Sequence, residues 1–177
     1  RYIAVTGVQT CALPILYEEE DLSRLTFAHA LSIARRFERA RLVVHADAVP
    51  DADYVWDLVA GSGALVVSGT QNKFSPGHEK NMQIVEIPFR GLRRSTQVHF
   101  ALLFLLSQRH IEREDLVVNV FGRPDSGFFD SIRLTHIRDE FHLPISFEQQ
   151  RLGRYIDRHV LTRVLQLAGD LDVEGRE

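Results

Sequence analysis

The chain has 177 residues and a formal net charge of −3; 45% of the residues are apolar, 25% charged and 9% aromatic. This is the make-up of one soluble globular domain of ordinary size, roughly 100–150 residues, and it excludes a disordered acidic tail, a collagen-like repeat and a disulfide scaffold. The mildly acidic total argues against a general nucleic-acid binder, which would need concentrated positive charge, and no apolar run approaches the ~20 residues of a membrane span.

The chain begins with Arg, not Met, and residues 5–15 read VTGVQTCALPI. This string resembles the translation of a common sequencing-adapter oligonucleotide, and such scars are set aside before a fold is read. The alternative is a native strand and turn over 2–8 and 9–14. Residues 1–15 are accordingly taken as non-native, 16–149 as one α/β domain, and 150–177 as a C-terminal helix and linker. Cys11, the only cysteine, falls in the excluded stretch, and nothing argues for an oxidising compartment. The expected location is the cytoplasm. Of the 21 basic residues only Lys73 and Lys80 are not Arg, a bias that carries no functional weight.

An acidic cluster at 18–21 suits a helix start, and apolar positions at Leu22, Leu25, Ala28 or His29, Ser32 or Ile33, and Arg36 or Phe37 predict a helix over 22–39. Residues 41–46 (RLVVHA) read as a buried strand. Asp47, Pro50 and Asp51 supply turn and cap chemistry for a short helix over 52–60, closed by Gly61 and Gly63. Residues 64–68 form the next strand, 69–81 an exposed polar loop, and 83–88 a third strand. A helix over 96–111, capped by Ser95, is apolar almost all round and must be covered on more than one side. Residues 115–121 (DLVVNVF) make the strongest strand, with Leu116 to Phe121 as the central ribbon. After a turn at 122–127, residues 130–137 alternate like a strand with one wetter face. Residues 143–148 read as a further extended piece and 150–172 as a last helix.

Strands separated by helices call for a mostly parallel sheet with right-handed crossovers. The link at 122–129 is too short for a parallel crossover, so the fifth strand should pair antiparallel with the fourth.

In such a sheet, ligands gather outside the carboxyl ends of the strands where the strand order reverses. Under the strand order 3-2-1-4-5, which the resemblance described below implies, Asp47 and Ala48 lie opposite the turn 122–127. Asp47, Thr70, Arg123, Asp125, Ser126 and Gly127 are therefore candidate ligand-binding residues. The competing reading is a tight hairpin turn chosen for positive φ at glycine. Arg93 and Arg94 with Ser95, next to Arg90, make a candidate anion site at a helix start; a solvated basic loop is the other reading. The eight histidines, at 29, 45, 78, 99, 110, 136, 142 and 159, lack the spacing of zinc ligands. The tightest grouping is His136, Asp139 and His142, and no metal site is expected. No Gly-x-Ser-x-Gly elbow or phosphate loop occurs, so no catalytic residue is assigned.

Residues 110–137, HIEREDLVVNVFGRPDSGFFDSIRLTHI, resemble the last strand pair of the C-terminal domain of pyruvate kinase: charged turn, buried strand, Ser-Gly turn, edge strand. The same domain recurs as the N-terminal half of a group of archaeal and bacterial diadenylate cyclases, and VEGRE at 173–177 resembles the junction before their cyclase domain. The resemblance covers about 22–177. It implies a three-layer α/β fold with a five-stranded sheet of order 3-2-1-4-5, strand five antiparallel. It also implies a regulatory or oligomerisation domain whose partners are a C-terminal cyclase domain, further copies of the chain and a possible small-molecule effector. ATP with Mn or Mg would belong to the cyclase domain, none to this segment. A stand-alone metabolite-binding domain or a pyruvate kinase fragment is the alternative. The chain departs from pyruvate kinase where that family has a Ser/Thr-rich phosphate loop: here the sequence is HADAVPDAD, whose Asp47, Asp51 and Asp53 would repel a sugar bisphosphate. The usual Gly-Ser-Gly is Asp125-Ser126-Gly127. Gly61 to Ala64 and Arg109-His110 echo the cyclase motifs Asp-Gly-Ala and Arg-His-Arg only superficially, the Asp and the last Arg being missing.

Overall fold

Strands rich in Val and Leu without polar alternation must be covered on both faces, and the chain covers them with helices on either side of one sheet. The computed structural model describes residues 19–69, 74, 83–87, 94–141, 160, 163, 164 and 167. The elements in order are α1 (Glu19–Ala34), β1 (Ala40–His45), a 3-10 turn (Ala46–Ala48), α2 (Ala52–Val59), β2 (Leu65–Ser68), β3 (Gln83–Glu86), α3 (Arg94–Ser107), β4 (Leu116–Phe121), β5 (Ser131–His136) and α4 (Ile137–Glu140).

The sheet has five strands in the order β3-β2-β1-β4-β5. β1 pairs parallel with both β2 and β4, β2 pairs parallel with β3, and β4 meets β5 antiparallel from Leu116 against His136 to Phe121 against Ser131. The predicted topology and the reversed last strand are those observed. β4 is buried along its whole length, but the middle strand is β1, because β5 closes the sheet one place beyond β4.

Two cores flank the sheet. On one side Val43, Val67, Val117 and Phe121 pack with Val98, Leu102 and Leu105 of α3. On the other Leu42, Val44, Val66, Val118 and Val120 pack with Phe27 and Ala30 of α1 and Val55 and Val59 of α2. α2 starts where Asp51 accepts hydrogen bonds from the Asp53 and Tyr54 backbone N–H groups, at 2.9 and 3.2 Å. It is closed by Gly61 and Gly63 at φ 70° and 74°, as the sequence predicts.

Four expectations are corrected. α1 ends at Ala34, not at 39, because the chain leaves it through turn bonds such as Phe37 N–H to the Ala34 carbonyl. Its buried face is Ser23, Thr26, Phe27 and Ala30, while Leu25 is 52% and Phe37 51% exposed. Ser23 is inside because its hydroxyl oxygen accepts the Phe129 N–H at 2.9 Å. α3 begins at Arg94, so Ser95 lies within its first turn and does not precede it, and the helix stops at Ser107. On β5 the alternation holds at Ile132, which packs on the core, and is inverted at its end, with Thr135 buried and Leu134 48% exposed. The sequence reading also lacks α4. There Glu140 accepts from Arg133 at 2.7 Å and meets His99 of α3 at 3.1 Å. Burial raises the Glu140 carboxyl, but its hydrogen bond to His99 and the Arg133 charge prevail and hold it below the usual value.

Residues 1–15, the strand at 143–148, and the loop at 69–81 apart from Gly69 and Phe74 lie outside the described residues. So does the last helix, apart from helical, exposed positions Val160, Arg163, Val164 and Leu167. No helix among the described residues is long and apolar enough to cross a membrane.

α3 ends in two capping bonds, His110 N–H to the Leu105 carbonyl at 3.0 Å and Arg109 N–H to Leu106 at 3.1 Å. They require Arg109 at φ 60°, a left-handed conformation that glycine adopts without the Cβ penalty. Arg109→Gly is expected to stabilise the protein by up to about 1 kcal/mol, read as a higher urea midpoint at unchanged slope.

Candidate functional site

The strand order reverses between β1 and β4, so their carboxyl ends frame the crevice where an open α/β sheet holds ligands. β1 leaves the sheet at His45, and the 3-10 turn carries Asp47 over its edge. The half-buried Asp47 carboxylate accepts the Ser68 hydroxyl at 2.8 Å, the Gly69 N–H at 3.1 and 2.9 Å to its two oxygens, and the Gln97 side-chain amide at 3.1 Å. One carboxylate thus ties the ends of β1 and β2 to the start of α3. Asp51 is likewise engaged, as the cap of α2.

The turn after β4 closes on the same place through main-chain atoms. Asp125 N–H donates to the Asp47 carbonyl and Gly127 N–H to the Ala48 carbonyl, both at 2.9 Å. The path puts Asp125 at φ 56° and Gly127 at φ 91°. Ser126 turns its hydroxyl onto the Phe128 carbonyl at 3.1 Å, and Phe129 is wholly buried. Gly122 sits so tightly that a Cβ there would be 2.2 Å from the Phe128 carbonyl oxygen and 3.0 Å from the Ala48 Cβ.

Beneath this closure lies a buried polar pair. Asn119 of β4 donates its amide N–H to the Arg133 carbonyl at 3.4 Å, which turns its oxygen toward His45, whose Nε2–H donates to it at 3.3 Å. The His45 proton therefore rests on Nε2, and Nδ1 is buried without a partner among the described residues. The ring meets Phe121 edge-on at 6.1 Å. Burial lowers the His45 pKa to about 4, against the opposing pulls of Asn119 and the Asp47 charge.

The structure thus brings Asp47 together with the turn that carries Arg123, Asp125, Ser126 and Gly127, by backbone bonds and without a shared side-chain cluster; Arg123 is exposed. Thr70, Arg90 and Arg93 lie outside the described residues, and Arg94 and Ser95 form the first residues of α3. Sequence reasoning missed Ser68, Gln97, His45 and Asn119. The signal for Ser68 and Asn119 was present, since each interrupts an apolar strand (LVVS, LVVNVF), and a polar group inside a two-sided sheet must find a partner. Among the described residues no group of three His, Cys, Asp or Glu could hold a metal ion.

No protein-family model and no curated protein sequence matches the chain. Among solved structures, the fold is similar to a pyruvate kinase from Cryptosporidium parvum, with a TM-score of 0.50 and 9% identity over 70% of this chain. The chain spans about a quarter of that kinase, 24% of its length.

Two outcomes are expected from this geometry. Gly122→Ala forces backbone apart and should destabilise the protein by about 2–3 kcal/mol or prevent folding, measured by urea unfolding and by soluble yield. His45 gives a pH dependence. The unfolded chain takes up its proton near the ordinary value of 6.5 and the folded one only near 4, so in that window unfolding binds protons. Stability should fall by about 3 kcal/mol as pH drops through it. His45→Leu should flatten the slope of stability against pH between about 6.5 and 4.

Proposed function

We propose that the chain is an accessory module of a larger enzyme, one that fixes how other domains or subunits face each other and carries no reaction itself. The observation that supports this best is the closure of the crevice. Where a related architecture would hold a ligand, Asp47 and Ala48 give their carbonyls to the turn at 125 and 127, and the Asp47 carboxylate is taken by Ser68, Gly69 and Gln97. Likeness to part of a longer kinase agrees with a module that is one piece of a larger chain.

The finer reading is a regulatory or oligomerisation domain of a diadenylate cyclase that makes cyclic di-AMP from two ATP in the cytoplasm. It rests on the pattern at 110–137 and on VEGRE at 173–177. Two ATP-loaded sites must meet in that reaction, so a domain that sets the geometry between copies governs its rate. Its partners are the cyclase domain of the same chain and further copies of itself, and ATP with Mn or Mg is held by the cyclase domain. The helix expected over 150–172, of which Val160, Arg163, Val164 and Leu167 are described as helical, is the transmitter toward that domain on this reading. A metabolite-binding domain, or a fragment of a pyruvate kinase, is the second reading, supported by the fold likeness alone.

The test has two arms. The purified 177-residue chain, given ATP with Mn²⁺ or Mg²⁺, should form no cyclic di-AMP, and the coding DNA beyond codon 177 should encode an Asp-Gly-Ala and an Arg-His-Arg. Turnover by the chain overturns the accessory role, and downstream coding sequence without the two motifs overturns the cyclase assignment.

A further inference from the structure

A second concavity opens at the other end of the sheet, beside the amino ends of β1, β2 and β3 and the last turn of α1. Its volume is about 180 Å³. Leu31 and Leu65 give it an apolar lining, and Arg35, Arg41, Gln83 and His110 supply its polar groups. Among the described residues no carboxylate lines it, in a chain whose net charge is −3.

The two guanidinium groups differ in how they are held. Arg41 meets the buried Asp115 through Nε at 3.5 Å, and Asp115 also faces Arg39 at 3.7 Å. Arg39 is further paired with Glu112 at 2.7 Å. Arg39 and Arg41 thus share two acids, and the side chain of Arg35 has no ion pair or hydrogen bond among the described residues. Gln83 donates its amide N–H to His110 Nδ1 at 3.1 Å, which places the imidazole proton on Nε2 as a further donor. Gly63, on the β2 side, leaves the rim open: a Cβ there would meet nothing within 4 Å.

We propose that this concavity binds a small phosphorylated metabolite, its phosphate held by Arg35 and Arg41 and its short carbon body lying against Leu31 and Leu65. Guanidinium groups match phosphate oxygens in pairs of charge-assisted hydrogen bonds. The volume is below the roughly 300–1,000 Å³ of a drug-sized site, so the occupant is smaller than a nucleotide. This site lies at the opposite end of the sheet from the crevice, and the inference does not use the accessory-module reading.

The probe is glycerol 3-phosphate titrated into the purified chain and followed by amide NMR shifts, with glycerol and inorganic phosphate alongside. Saturable shifts are expected at residues 35, 41, 63, 83 and 110, absent with glycerol and weaker with inorganic phosphate. Arg35→Gln, which breaks no internal pair, should weaken binding about tenfold, an energy of about 1.4 kcal/mol, without lowering the melting temperature. Arg123→Gln in the distant turn should leave binding unchanged. No saturable shift at millimolar probe, shifts centred on 123–127, or unchanged binding by Arg35→Gln would each overturn the proposal. Equal response to inorganic phosphate would reduce it to an adventitious ion only and overturn the metabolite assignment.

Discussion

β1 and β4 have a strand on either edge and helices over either face, so water reaches neither side of them. Every polar group inside must be paired internally, and every charge must wait for a strand end, because an unpaired buried polar group costs about 1–3 kcal/mol and an unpaired charge more. Asn119 and His45 are the polar pair that this constraint permits, two side chains from adjacent strands on the same face, each supplying what the other lacks. His45 keeps one unmatched nitrogen, Nδ1, which the same burial holds neutral. Charges appear only beyond Val44 at one end of β1 and before Leu42 at the other, and the two ends use them differently.

At the carboxyl end the charge is negative and is spent on architecture. Asp47 takes a hydroxyl, a backbone amide and a side-chain amide from three different elements. Several directional bonds to fixed elements hold the carboxylate in one place. The turn at 122–127 then docks by backbone alone, so its sequence is constrained by φ and by space more than by chemistry. This is why the residues singled out there, Arg123, Asp125 and Ser126, sit together in the fold without converging on a common point.

The mostly parallel sheet and its reversed last strand were legible because they depend on coarse features, apolar runs and the shortness of 122–129, whereas the strand order came from the resemblance at 110–137. The register of α1 was not legible in this way. A periodicity count favours Leu25 and Phe37 as interior, yet Ser23 faces inward and accepts the buried N–H of Phe129, Leu25 stands on the outer face, and the helix ends at Ala34, before Phe37. The inversion on β5 has a related cause. An edge strand is covered only as far as the helices extend, so Leu134 stays outside, while Thr135 faces the α3 side and is buried. Asp47 and the turn facing it followed from that strand order. The donors around Asp47 did not, since Ser68 and Gln97 are 21 and 50 residues distant and no local pattern links them.

The amino end shows the opposite arrangement: among the described residues Arg39 and Arg41 are paired with Glu112 and Asp115, and Arg35 is unmatched. α1 reaches both ends. Arg35 follows its last turn, and Ser23 near its start holds Phe129, the residue that anchors the turn over the crevice. A helix is stiff along its axis because each turn is bonded to the next, so whatever orders the last turn of α1 restricts the same rigid body that presents Ser23 to Phe129. The two ends of the sheet are thereby joined by one element and not by a chain of separate contacts.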